Sequence, residues 1–333
     1  MSVIDYSATW PHPKRPVAKQ VMHAALLPHE LFHTLYTHGH EVFMHLLSGG
    51  SESALIEWWN DAKGLSDDWY ENHPVIQTNP PERRIPLGFH GDDAGTYNGE
   101  KTLAVNWGSI VSVGCTLDTR LPFTMVKVKD LLPGFETEKS IYEVLTWSLN
   151  ALQEGKFPTH NERGLPFTEK DGWRWKMAGK LLANSYVGCW AEMRGDWKWL
   201  KEALLLPDNY GSNAKICFKC AVLKFTENVG MRYTNFRRDA PHRGTIYSNQ
   251  EFMDILLAAC VVSPLIFITG FHVTRVVFDI LHVLDLGIYQ LAVPSAMKEL
   301  TATKATAGAG LGKLVGVRPT LKELAGTRRA VEA

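Results

Sequence analysis

The sequence predicts an α/β protein: a mixed sheet flanked by helices, with a helical region before it and a Cys-containing insertion within it. Three observations carry that expectation. Ile85–His90, Leu103–Val113 and Phe123–Val128 are short apolar runs, and turn-like groups around Asn98-Gly99 and Asp118-Thr119-Arg120 separate them, as in consecutive strands at hairpin spacing. Ser140–Leu152 and Trp173–Leu182 then carry apolar residues at helical spacing. Finally, 45% hydrophobic and 11% aromatic residues in 333 are enough for a sizeable core.

Composition excludes several classes. The 11 Trp, 14 Phe and 10 Tyr argue against intrinsic disorder, and five Cys are too few for a disulfide scaffold. Lys plus Arg and Asp plus Glu each total 35, so the chain is no uniformly basic coat. The charge is unevenly spread, however. Residues 51–100 hold ten acids against three bases, while Lys215–Arg243 and Lys298–Arg329 each hold seven bases against two acids.

The elements follow in order. Residues 1–84 read as helical, with Val21, Ala25, Leu31, Leu35, Val42 and Leu46 at roughly helical spacing, and Thr78-Asn79-Pro80-Pro81 marks the boundary. Residues 85–214 hold the three strands, the two helices, a further strand over Asn184–Met193 and a helix over Trp197–Leu206. Residues 215–250 form the basic Cys-pair insertion, 251–293 return to the core with a strand over Val273–Leu281, and 294–333 are a low-complexity tail. Ile255–Thr274 carries no formal charge over 20 residues, the length of a membrane span. Pro264 in mid-run, and the β-branched residues near it, instead predict a buried helix, a turn and a strand. The N-terminus has no apolar stretch behind a basic start, so a nuclear or cytoplasmic protein is expected, not secreted and with no membrane partner.

Three motifs point to chemistry. In His29-Glu30-Leu31-Phe32-His33 two His four apart share a helix face, the spacing of a zinc peptidase with Glu30 as base. Pro28 makes His29 a first-turn residue, whereas a peptidase helix runs on upstream. Asp92, Asp93 and Asp196 follow apolar strands, and carboxylates gathered at neighbouring strand ends suit Mg²⁺ in phosphodiester cleavage. As neighbours in a strand, Asp92 and Asp93 point to opposite faces. Cys217-Phe-Lys-Cys220 is half a Zn²⁺ site, with His242 and His282 as partners and Asp279 behind them. Lys215, Lys219, Lys224, Arg232, Arg237, Arg238 and Arg243 form a strip of the kind that meets nucleic acid.

In their order these blocks resemble the catalytic region of CACTA-like DNA transposases. The residues are Leu27-Pro-His-Glu-Leu-Phe, Pro86-Leu-Gly-Phe-His-Gly-Asp92-Asp93, Leu103-Ala-Val-Asn-Trp107-Gly-Ser109, Gly195-Asp196-Trp-Lys-Trp-Leu200 and Asp279-Ile-Leu-His282. The resemblance implies an RNase H-like core with an Asp-Asp-Glu site, Asp92 first and Asp196 second, 104 residues apart. It implies DNA as partner, Mg²⁺ as cofactor, Zn²⁺ at the Cys pair, and a homo-oligomer. Glu299, 17 residues after His282, stands in the third position, and the family's long region after that block is missing, as in a truncated copy. A non-enzymatic DNA- or protein-binding remnant is the alternative outcome of the same resemblance.

Overall fold

The computed structural model describes residues 2–10, 17–65, 68–95, 99–206, 214–235 and 237–279. Residues Met1–Asp279 form one compact unit; the second unit, Ile280–Ala333, lies outside the described residues.

The chain opens with an antiparallel hairpin, β1 (Ser2–Trp10) and β2 (Val17–Ala25), where the sequence predicts helix. Pro28 explains the break: it cannot continue a helix from Ala25 but is suited to a first turn. It opens α1 (Pro28–His38), followed by α2 (His40–Ser48), α3 (Glu52–Gly64), α4 (Asp68–Asn72) and α5 (Pro74–Thr78). Ser51 caps α3 by accepting the Ala54 N–H at 3.2 Å.

The central sheet begins at β3 (Arg84–Gly95), just past the Pro80-Pro81 boundary. β4 (Lys101–Ser109) pairs antiparallel with it, and β5 (Leu121–Lys127), after the short α6 (Thr116–Thr119), pairs antiparallel with β4. The chain then forms α7 (Glu136–Glu154) and the one-turn α8 (Trp173–Met177). β6 (Val187–Gly195) lies parallel to β3, and α9 (Trp197–Leu204) follows it. After α10 (Asn249–Leu257), the three-residue β7 (Val276–Phe278) lies parallel to β6. The strand order is β5-β4-β3-β6-β7.

Helix α7 covers one face of the sheet. Ile141, Leu145, Leu149 and Leu152 recur at helical spacing and are buried, and Leu152 packs directly beneath Gly188 of β6. The helix ends at Gly155, whose φ of +70° suits glycine and whose missing Cβ leaves room for Val187. Phe89, Trp107 and Val105 point to the same face, in keeping with the two-residue alternation of the strands.

Several predicted elements are shorter than expected, for local reasons. The predicted helix over Trp173–Leu182 ends at Met177, and Gly179 then turns with φ of +76°. β6 starts at Val187 because Asn184 and Ser185 have positive φ. No strand forms around Val261–Ile268: the Ser263 hydroxyl accepts the Leu265 N–H and caps a 3-10 turn over Pro264–Phe267 that buries Leu265 and Ile266. Among the described residues, no helix is long and apolar enough to cross a membrane.

Candidate functional site

Two Gly-Asp pairs build the site. β3 and β6 run parallel with Gly91 opposite Gly195, so Asp92 and Asp196 each stand one residue beyond paired glycines, on neighbouring strands. Both glycines face Trp199 of α9. A Cβ on Gly91 would lie 2.1 Å from its ring, and one on Gly195 2.3 Å from it. The ring is 3% exposed and sits against both strand ends. Trp199 also holds Asp196, whose Oδ1 accepts the Trp199 N–H at 2.6 Å and caps α9.

Alternation separates the two adjacent acids. Asp93 shares the Gly91 face, pairs with Lys198 of α9 and lines a cleft of about 240 Å³ with Glu138, Tyr142 and Glu202. Burial, with Glu202 and Asp93 nearby, raises the pKa of Glu138. Asp92 lies on the opposite face with His90, and its charge acts on that imidazole.

β7 brings a third acid to this end. Phe278 pairs with Gly195, and the next residue, Asp279, donates its N–H to Gly195 O at 2.8 Å. Asp279 Oδ2 lies 3.4 Å from His90 Nε2. Burial, and then Arg120, lower the His90 pKa, against the opposing pull of Asp279 and Asp92. At neutral pH the contact is therefore a hydrogen bond from a neutral imidazole rather than an ion pair.

The Cys turn is anchored at the same end. The Trp197 ring, next to Asp196, packs 5.4 Å from Phe218 and 5.4 Å from Phe278, between centroids. Phe218 lies inside the Cys217–Cys220 turn. Cys217 Sγ accepts the Lys219 N–H at 3.3 Å, and the Cys220 thiol donates to it, lowering the Cys217 pKa and raising that of Cys220. Burial lowers the Lys219 ammonium to about 8. His242 is occupied elsewhere, its Nε2 sharing a hydrogen bond with Asn235 O at 2.9 Å. His282 and Glu299 lie outside the described residues.

The basic strip is partly committed to internal contacts. Lys215 lies over the Tyr247 ring, Lys219 over Phe218 and Lys224 over Phe225. Arg232 donates to Thr226 O and Arg237 pairs with Asp239. Arg238 and Arg243 are exposed.

The peptidase-like motif is built into packing. His29 is 1% exposed, shares a hydrogen bond with Ser148 Oγ at 2.8 Å, and burial lowers its pKa to about 4. His33 Nδ1 bonds Leu182 O at 2.6 Å, and Glu30 pairs with Arg174 at 2.7 Å. Both imidazoles pack edge-on against Phe157, but their hydrogen bonds go to different partners, Ser148 and Leu182. Among the described residues, no group of three or more His, Cys, Asp or Glu side chains is gathered to hold a metal ion. Asp92 and Asp196 are hard oxygen donors of the kind Mg²⁺ takes, at neighbouring strand ends, with one Asp196 oxygen engaged in capping α9.

No chemical motif of the sequence marks His90, Glu138 or Arg120 as a site residue. His90 is two residues before Asp92, so the same alternation that separates Asp92 from Asp93 places it beside Asp92. Arg120 gave no signal, because it stands in a segment that reads only as a turn. No family model matches the chain, and neither a curated protein nor a solved structure matches it.

Proposed function

We propose that the chain is a transposase-derived protein with an RNase H-like core, in which Asp92 and Asp196 stand where DNA strand cleavage and transfer would be carried out. The observation that carries this reading is the Gly91–Gly195 pairing, which brings two acids 104 residues apart in sequence to neighbouring strand ends. The sheet order supports it as well. Three antiparallel strands, a helix, and a fourth strand parallel to the first are the sequence expected of an RNase H-like core. DNA would lie across the strand ends, with Arg238 and Arg243 of the insertion reaching its phosphates. Mg²⁺ at the acids would activate a water or a 3′-hydroxyl for attack on phosphorus. The test is supercoiled-plasmid nicking with Mg²⁺ or Mn²⁺. The reading expects nicking that Asp196→Ala abolishes; nicking that survives Asp196→Ala refutes it.

A second reading, a DNA-binding remnant without cleavage, is favoured by one observation: no three-ligand set forms among the described residues. It expects salt-dependent DNA binding with no nicking under either metal. A chain that neither binds nor nicks DNA refutes both.

A further inference from the structure

The face of the sheet that carries His90 and Asp92 holds a cleft the acids do not use. It has a volume of about 150 Å³ and is lined by Gly88, Gly108, Ser109, Arg120, Glu192 and Arg194, among others. Two glycines shape it. Gly88 and Gly108 are partners across β3 and β4. A Cβ on Gly108 would lie 2.8 Å from Thr119 O, and one on Gly88 2.8 Å from the Glu192 side chain. Without those methyl groups, the segment leading into β5 folds down onto the sheet and carries Arg120 in beside Arg194.

The charges in the cleft do not cancel. Arg194 is paired with Glu192 at 2.5 Å. Among the described residues, Arg120 has neither an ion pair nor a hydrogen bond, and it is half-buried. Burial and the charge of Arg194 disfavour its cationic form, with Glu192 and Asp279 opposing them. A guanidinium stays protonated under such pressure, so Arg120 retains a positive charge that no ion pair among the described residues takes up. An oxyanion with several acceptor oxygens relieves that state by taking parallel N–H donors from Arg120 and a share of Arg194.

We propose that Arg120 and Arg194 form a phosphate-binding pocket, for a phosphoryl group of a nucleic-acid backbone or a free phosphate. The site does not rest on the acid pair or on any metal. It holds even if Asp92 and Asp196 do no chemistry.

The test uses the full chain and inorganic phosphate, followed by isothermal titration against chloride of equal ionic strength. Wild-type protein is expected to bind phosphate saturably. Arg120→Gln is expected to weaken binding about tenfold or more. Glu192→Gln is expected to strengthen it, because it removes a repelling carboxylate and frees Arg194. That gain keeps the proposal testable even if Arg120→Gln were to unfold, which circular dichroism would reveal. A second titration with an oligonucleotide present distinguishes the two sources: displacement of phosphate assigns the pocket to a nucleic-acid backbone, and no displacement to free phosphate. Equal effects of chloride and phosphate overturn the pocket. So does unchanged affinity in folded Arg120→Gln, or weaker binding in Glu192→Gln.

Discussion

Replacing Gly91 by alanine tests whether one ring sets the position of both acids. Gly91 has no positive φ, so the cost of alanine there is steric rather than conformational. The added methyl would lie 2.1 Å from Trp199 Cε2, 2.2 Å from Cζ2 and 2.4 Å from Nε1, all far inside van der Waals contact. The ring is 3% exposed and pressed against Gly195 as well, so it has little room to move aside. Overpacking of a dense core costs about 1–3 kcal/mol, and this site belongs at the upper end. Trp199→Ala alone removes a buried indole at about 3–5 kcal/mol. In the double variant the clash is gone, so its total should nearly equal that of Trp199→Ala. The interaction energy should then be about 2–3 kcal/mol in the compensating direction. Urea unfolding followed by far-ultraviolet circular dichroism measures the cycle. Additive costs would refute the claim that Trp199 buttresses this strand end.

Other expectations follow from the same geometry. Asp196→Ala removes the cap of α9 and should cost about 1 kcal/mol, whereas Asp196→Asn keeps the cap and should unfold near the wild-type urea midpoint. His29 is buried with its pKa lowered from 6.5 to about 4. Its neutral form is favoured by folding, so its stability contribution is complete above pH 6.5 and falls away as pH drops toward 4, by about 3 kcal/mol; urea midpoints across that range should show a shallower slope in His29→Gln. Cys217 should react with iodoacetamide at a lower pH than an ordinary thiol, and mass mapping should find the early label on Cys217 rather than on buried Cys189.

Much of the sheet was legible because its strands are apolar runs bounded by turn residues, and α7 because its apolar spacing is regular. The N-terminal hairpin was not. Val21 and Ala25 fit a helical period together with Leu31 and Leu35, and the pairing of β2 with β1 is a non-local contact that local spacing does not encode. β7 shows the reverse limit: its apolar run is visible in the sequence, and among the described residues Val276–Phe278 are the part that pairs with β6. At the site, strand alternation already separated Asp92 from Asp93, yet which of the two shares a face with the rest of the cluster needed Trp199 and Lys198 in place. By sequence, Asp279 stands behind the Cys pair. The fold places it at the end of β7 against His90, because register on β6 decides its neighbour.

The role of the Asp92 face is tested by comparing Asp92→Asn with Asp93→Asn in the metal-dependent plasmid assay. Asp92 shares the sheet face of His90, while Asp93 is turned to Lys198 on the other. Nicking is expected from wild-type protein and from Asp93→Asn, and none from Asp92→Asn. Nicking that persists in Asp92→Asn while Asp93→Asn loses it would place the essential acid on the Lys198 face instead.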